Sequence, residues 1–178
     1  IIVAFKNTKG RVFNASYWSL PMFKPIFLAT AALLFSATTM AEDIPTRFGS
    51  LKINSEGMLL FKNRPFNPEI QGNNSLSVIG TYQVDNRDLV LIQDNGGTAC
   101  PAQFYFISVS ASGAKATSEF GTCADLITVK KMPDSISVTM PGYQGSFESK
   151  AAQRKASKEK HVYVFNGVVL TENGKPIK

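Results

Sequence analysis

The stretch "AQFYFISVSA", residues 102–111, is the most β-prone run of the chain because aromatic and β-branched residues dominate it. The segment "SGA", residues 112–114, follows as a tight turn into "KATSEF". These features predict a β-hairpin in which residues 99–102 face residues 121–124 at the open end. Cys100 and Cys123, the two cysteines of the chain, would then meet at the base of the hairpin and form a disulfide bond.

The chain after residue 41 continues with apolar and polar residues in alternation, interrupted by turn residues about every 8 to 12 positions. This pattern predicts an all-β domain, either a small antiparallel β-barrel or a β-sandwich, of about nine or ten short strands. Asn166-Gly167 lies between "HVYVF" and "VVLTE", where it predicts a two-residue type I′ turn. Residues 146–160 are the one helix candidate, so we expect at most one short helix.

The segment "MFKPIFLATAALLFSATTMA", residues 22–41, has the three parts of a secretory signal peptide. Its apolar core is shorter than the roughly 20 residues of a membrane span, so we expect no stable span after cleavage. Residues 1–21 are interpreted as an upstream extension that is not native. The remaining residues, 42–178, are expected to form a single exported β-domain, periplasmic or secreted, in a bacterium.

The net charge of +6 arises mostly before residue 42. Four of the nineteen basic residues precede that point and all thirteen acidic residues follow it, which leaves the exported part at +2. These four are Lys6, Lys9, Arg11 and Lys24. A nucleic-acid-binding domain needs a basic patch on its folded surface, so we expect no nucleic-acid partner.

The loop "DNGGTACP", residues 94–101, allows three interpretations: a phosphate cradle at Gly96 and Gly97, a nucleophile at Cys100, or a turn fixed by a disulfide. A phosphate-binding P-loop needs a lysine after its glycines and a helix behind it, whereas a strand follows here. A nucleophilic cysteine needs a base, and the one histidine is distant, at His161. The disulfide interpretation is therefore favoured, with residues 94–97 as an exposed rim.

No catalytic constellation, metal site or cofactor motif is predicted. Carboxylates that fall in predicted turns are scattered along the chain: Asp85, Asp88, Asp94, Asp125 and Asp134. A small hydrolase that uses these carboxylates or Cys100 remains an alternative. Tyr105 is interpreted either as a surface aromatic residue, a type that often anchors interfaces, or as a half-buried residue of a strand.

Ser112-Gly113-Ala114-Lys115 resembles part of the loop that periplasmic C-type lysozyme inhibitors insert into an enzyme's cleft. The similarity covers four residues; Ala116 stands where that family has a tyrosine, and the exported part lacks the family's tryptophan. The resemblance implies an inhibitor of a wall-degrading enzyme such as lysozyme, with Ser112 and Lys115 in the contact.

We therefore expect a non-enzymatic exported domain that binds another protein or an envelope component. The predicted interaction residues are Asp94, Asn95, Gly96, Gly97, Tyr105, Ser112, Gly113 and Lys115.

Overall fold

The structure is a computed structural model that describes residues 42–177. Its described residues form fourteen β-strands and one α-helix, arranged as three antiparallel sheets. The all-β class, the single short helix and the disulfide are confirmed. The expected strand number was too low, because several strands at the sheet edges are only two or three residues long and show no alternation.

The N-terminal sheet contains β1 (Glu42–Ile44), β2 (Leu51–Ile53), β3 (Leu59–Phe61) and β4 (Arg64–Pro65). The central sheet contains β5 (Ser75–Val84), β6 (Arg87–Gly97), β7 (Cys100–Ser110), β8 (Gly113–Ala116) and β9 (Phe120–Cys123). The C-terminal sheet contains β10 (Thr128–Lys131), β11 (Ile136–Met140), β12 (His161–Phe165), β13 (Leu170–Glu172) and β14 (Lys175–Pro176).

The central sheet is buried on both faces. In β6 the side chains of Leu89 and Leu91 pack with residues of the C-terminal sheet, and those of Val90 and Ile92 pack with residues of the N-terminal sheet. A strand covered on both sides is apolar at consecutive positions, which explains the run "LVLI". The described residues therefore form three open sheets with an apolar cluster on each face of the central one, and the alternative of a closed barrel is wrong.

The predicted hairpin is confirmed. Strand β7 pairs with β8 along one half and with β9 along the other, and Ala102 lies opposite Cys123. On the side of the C-terminal sheet, the ring of Phe106 stacks on that of Phe120 at 5.3 Å and on that of Phe165 at 5.0 Å. These ring contacts couple the hairpin to the C-terminal sheet.

The prediction of a type I′ turn at Asn166-Gly167 was wrong. Residues 166–169 form a four-residue connection, because the Asn166 side chain accepts hydrogen bonds from the N–H groups of Val168 and Val169, at 3.0 and 2.8 Å. The next Asn-Gly pair, Asn173-Gly174, has both φ angles positive (49° and 81°) and joins β13 to β14 as a two-residue turn of this kind.

The helix α1 (Lys150–Ala156) is shorter than the candidate range 146–160. Ser149 caps it, with its hydroxyl accepting from the Ala152 N–H at 3.2 Å. The predicted signal peptide (22–41) and upstream extension (1–21) lie outside the described residues. Within residues 42–177, no helix has the length and apolar character needed to cross a membrane.

Candidate functional site

Strand β8 ends the central sheet and leaves one backbone edge open. A hydrogen bond of 2.9 Å from the Thr117 N–H to the Phe106 carbonyl, together with the register of β7 and β8, fixes which residues of β8 point toward β7. Backbone groups of an antiparallel strand alternate in direction. Gly113 and Lys115 therefore bond to β7, and the N–H and C=O groups of Ala114 and Ala116 point away from the sheet.

A groove of about 1140 Å³ runs beside this edge, and we call it the β8 groove. One wall comes from residues 61–70, which include Phe61, Pro65 and Phe66 of the N-terminal sheet and its following loop. The other wall is Tyr105 with residues 114–119. Its volume exceeds the usual range of about 300–1,000 Å³ for small-molecule sites, so it suits a chain-like ligand.

Tyr105 stands in the wall of the β8 groove with its ring half-buried. Its hydroxyl donates a hydrogen bond to Glu119 Oε1 at 3.2 Å. Burial raises the pKa of Tyr105 to about 12, with further contributions from the charge of Glu119, this hydrogen bond and the charge of Asp94. At neutral pH the phenol is therefore a protonated donor with an aromatic face toward the groove.

Charged side chains of both signs surround the β8 groove. The exposed cations are Lys62, Arg64 and Lys115, and the exposed anions are Glu69 and Glu119. A mixed rim of this kind suits a polar ligand that carries both donors and acceptors. Ordinary surface charges contribute little affinity singly, so backbone and aromatic contacts are expected to dominate binding here.

A smaller hollow of about 330 Å³ lies on the opposite side of β8, and we call it the serine hollow. It brings together three of the predicted interaction residues, Ser112, Gly113 and Lys115, with Arg87 from β6. Ser112 is exposed, and its hydroxyl lies 2.9 Å from that of Ser110.

Residues 94–97, which were predicted to form an exposed loop, belong to β6, in which Asp94 is buried and Gly97 is exposed. Gly97 pairs with Cys100, so that the connection between β6 and β7 is only Thr98-Ala99. Asp94 is 9% exposed and accepts a hydrogen bond from the Asn73 N–H at 2.7 Å. Asp94 therefore connects β6 to the segment before β5, and a role of residues 94–97 in binding stays a prediction.

The predicted disulfide joins Cys100 to Cys123 across the hairpin base, with 4.6 Å between their Cα atoms. A bonded sulfur is not the thiolate that nucleophilic catalysis requires. Two of the predicted turn carboxylates, Asp88 and Asp94, are buried in β6 and bonded to other groups. The described residues also contain no cluster of three His, Cys, Asp or Glu side chains suited to a metal ion.

A cluster that the sequence did not reveal surrounds His161. Its Nδ1 lies 2.8 Å from Glu172 Oε1, which also accepts a 3.0 Å hydrogen bond from the Tyr163 hydroxyl. Its Nε2 lies 3.6 Å from Glu159 Oε2. Neither the β8 groove nor the serine hollow includes these residues, so the cluster connects β12 to β13 and supports no catalytic assignment.

Comparison of the chain with protein-family models, curated proteins and solved structures finds no match. The class of the protein therefore rests on its own geometry: an all-β, disulfide-bonded domain with an open strand edge beside a large groove.

Proposed function

We propose that the protein is an exported, non-enzymatic binding domain that holds an extended segment of another protein in the β8 groove. The observation that carries the proposal is the open edge of β8 at the wall of that groove. Ala114 and Ala116 offer two N–H and two C=O groups in the alternating pattern that an added strand would satisfy. The rings of Phe66 and Tyr105 would contact the side chains of that segment.

Two further features support export to an oxidising compartment. Disulfide bonds such as Cys100–Cys123 are typical of secreted and periplasmic proteins and rare in the cytosol. The segment 22–41 has the composition of a bacterial signal peptide. We therefore expect the partner to be a protein of the bacterial envelope or of the surrounding medium.

The test uses proline to remove one outward N–H group. Ala114→Pro deletes a donor that does not bond to β7, and edge strands tolerate proline at such positions. We expect Ala114→Pro to retain the fold by circular dichroism and to lose the envelope proteins that the wild-type domain captures through this edge. The captured protein is then identified and its binding measured with purified components.

Lys131→Pro is the matched control. Lys131 is an exposed residue of β10, an edge strand of the C-terminal sheet, and the 2.9 Å bond from the Met132 N–H to the Ser135 carbonyl directs the Lys131 N–H outward as well. Capture should survive in this variant. Equal capture by the Ala114→Pro and wild-type domains would overturn strand addition at β8.

A second candidate, inhibition of a wall-degrading enzyme, is favoured by one observation. Ser112 is exposed in the two-residue turn between β7 and β8, and Lys115 is exposed in β8, so that both side chains are accessible at one end of the hairpin. Lysozyme assayed with a stoichiometric amount of the purified domain tests this version. Lysozyme activity that is unchanged by the domain would rule out inhibition of this enzyme.

A further inference from the structure

The serine hollow lies on one face of three adjacent strands whose residues are paired in register. Arg87 of β6 lies opposite Ser110 of β7, and Ser108 of β7 lies opposite Lys115 of β8. Side chains paired in this way have Cβ atoms about 5 Å apart. Two cations therefore flank two hydroxyl groups on a single face of the sheet.

The hollow exists because small residues replace large ones along β7. On this face of β7, the side chains of Phe104 and Phe106 fill the space between the central and C-terminal sheets. At Ser108 and Ser110 the side chains are short, and Gly113 opposite Ser110 has none. Gly167 and Val168, in the turn between β12 and β13, form a wall of the space that remains.

The side chain of Arg87 is held in place by a hydrogen bond. Arg87 Nη1 donates a hydrogen bond of 2.9 Å to the Gly167 carbonyl, which occupies one of the five donors of the guanidinium. The other donors remain for a ligand, since no further side-chain bond of Arg87 is formed within the described residues. The lining carries two positive charges, and none of the described residues that line the hollow is acidic.

We propose that the serine hollow binds an oxyanion group, a carboxylate or a phosphate, between Arg87 and Lys115. Guanidinium and ammonium groups form their strongest hydrogen bonds with such anions, and serine hydroxyls supply additional donors. The volume of about 330 Å³ admits one small anion or one acidic side chain. The site lies across β8 from the β8 groove and does not depend on strand addition.

The test is a titration of the wild-type protein followed by the backbone amide signals of Ser108, Ser110 and Gly113. One arm uses inorganic phosphate, and the other uses a short glutamate-rich peptide. We expect saturable shifts of these signals in at least one arm. Tighter binding of phosphate identifies a free small anion as the ligand source, and tighter binding of the peptide identifies an acidic side chain of a partner.

Lys115→Gln should weaken this binding about tenfold, as expected for the loss of one charge-assisted hydrogen bond. Lys130→Gln is the matched control, because Lys130 is an exposed lysine that also lies opposite a serine, Ser137. No saturable shift with either probe, or equal weakening by both variants, overturns the site. Anion binding is measured on the domain without a partner, so that failure of the anion site and failure of strand addition are distinguishable.

Discussion

Arg47 forms an ion pair with Asp88 in which Arg47 Nε and Asp88 Oδ1 are 2.7 Å apart. The backbone N–H of Arg47 donates to the second oxygen of the same carboxylate, also at 2.7 Å. Asp88 is 1% exposed and lies in β6, whereas Arg47 lies in the connection between β1 and β2. The pair therefore fastens the N-terminal sheet to the central sheet.

Asp88→Ala should lower the free energy of unfolding by about 3 kcal/mol, because it leaves the Nε–H and the backbone N–H of Arg47 without their acceptor. The loss falls at the lower end of the range for buried pairs, since the Arg47 side chain is 38% exposed. Urea unfolding measures the difference. Asp125→Ala, at an exposed aspartate, is the control and should change stability by less than about 0.5 kcal/mol. Equal effects in the two variants would contradict a structural role for the pair.

The adjacent glycines of "DNGGTACP" should respond differently to substitution. A Cβ added at Gly96 would lie 2.0 Å from the Cys100 carbonyl oxygen, whereas one at Gly97 meets nothing within 4 Å. Gly96→Ala should therefore cost about 2 kcal/mol by forcing β6 and β7 apart, and Gly97→Ala should be nearly neutral. Thermal unfolding of both variants measures this contrast. A similar loss in both would mean that the short connection, rather than the close approach, requires glycine.

Cys100→Ser and Cys123→Ser should destabilise the domain equally, and the double variant should be no worse than either. Each removes the same closed loop, with a sequence separation of 23 residues, worth roughly 3 kcal/mol in the chain-entropy model. Chemical unfolding of the three variants under non-reducing conditions provides the comparison. A single variant that loses partner capture at an unchanged melting temperature would instead give that cysteine a role in binding.

The hairpin from Cys100 to Cys123 could be predicted because strand composition, turn and cysteine spacing all indicate the same pairing. Residues 94–97 were misplaced because Asp, Asn and Gly usually mark turns, whereas the close approach of the Cys100 carbonyl explains why a glycine stands at position 96 of a strand. The β8 groove was beyond prediction, because its walls come from residues 61–70 and 114–119, and nothing local connects them.

Tyr105→Phe should change how stability depends on alkaline pH. The folded pKa of Tyr105 is raised from 10.0 to about 12, so in this window the folded protein retains a proton that the unfolded chain loses. Stability from this group is complete below pH 10 and is lost as the pH rises through the folded pKa. The free energy of unfolding should therefore fall less steeply above pH 10 in Tyr105→Phe than in the wild type. Equal slopes of unfolding free energy against pH in the two proteins would contradict the burial of the Tyr105 phenol. The pKa of Tyr163 is also raised, but this residue contributes equally to both proteins.

Glu119→Gln should lower the pKa of Tyr105 without restoring its ordinary value. The substitution removes the negative charge and the charged acceptor beside the phenol, yet burial, the largest cause of the raised pKa, remains. Phenolate absorbance should therefore develop at a lower pH in this variant than in the wild type. Glu69→Gln is the matched control, since Glu69 lines the same groove and is not among the groups that raise the pKa of Tyr105. If both variants shift the titration equally, the general charge of the groove, and not the 3.2 Å contact with Glu119, contributes to the raised pKa of Tyr105.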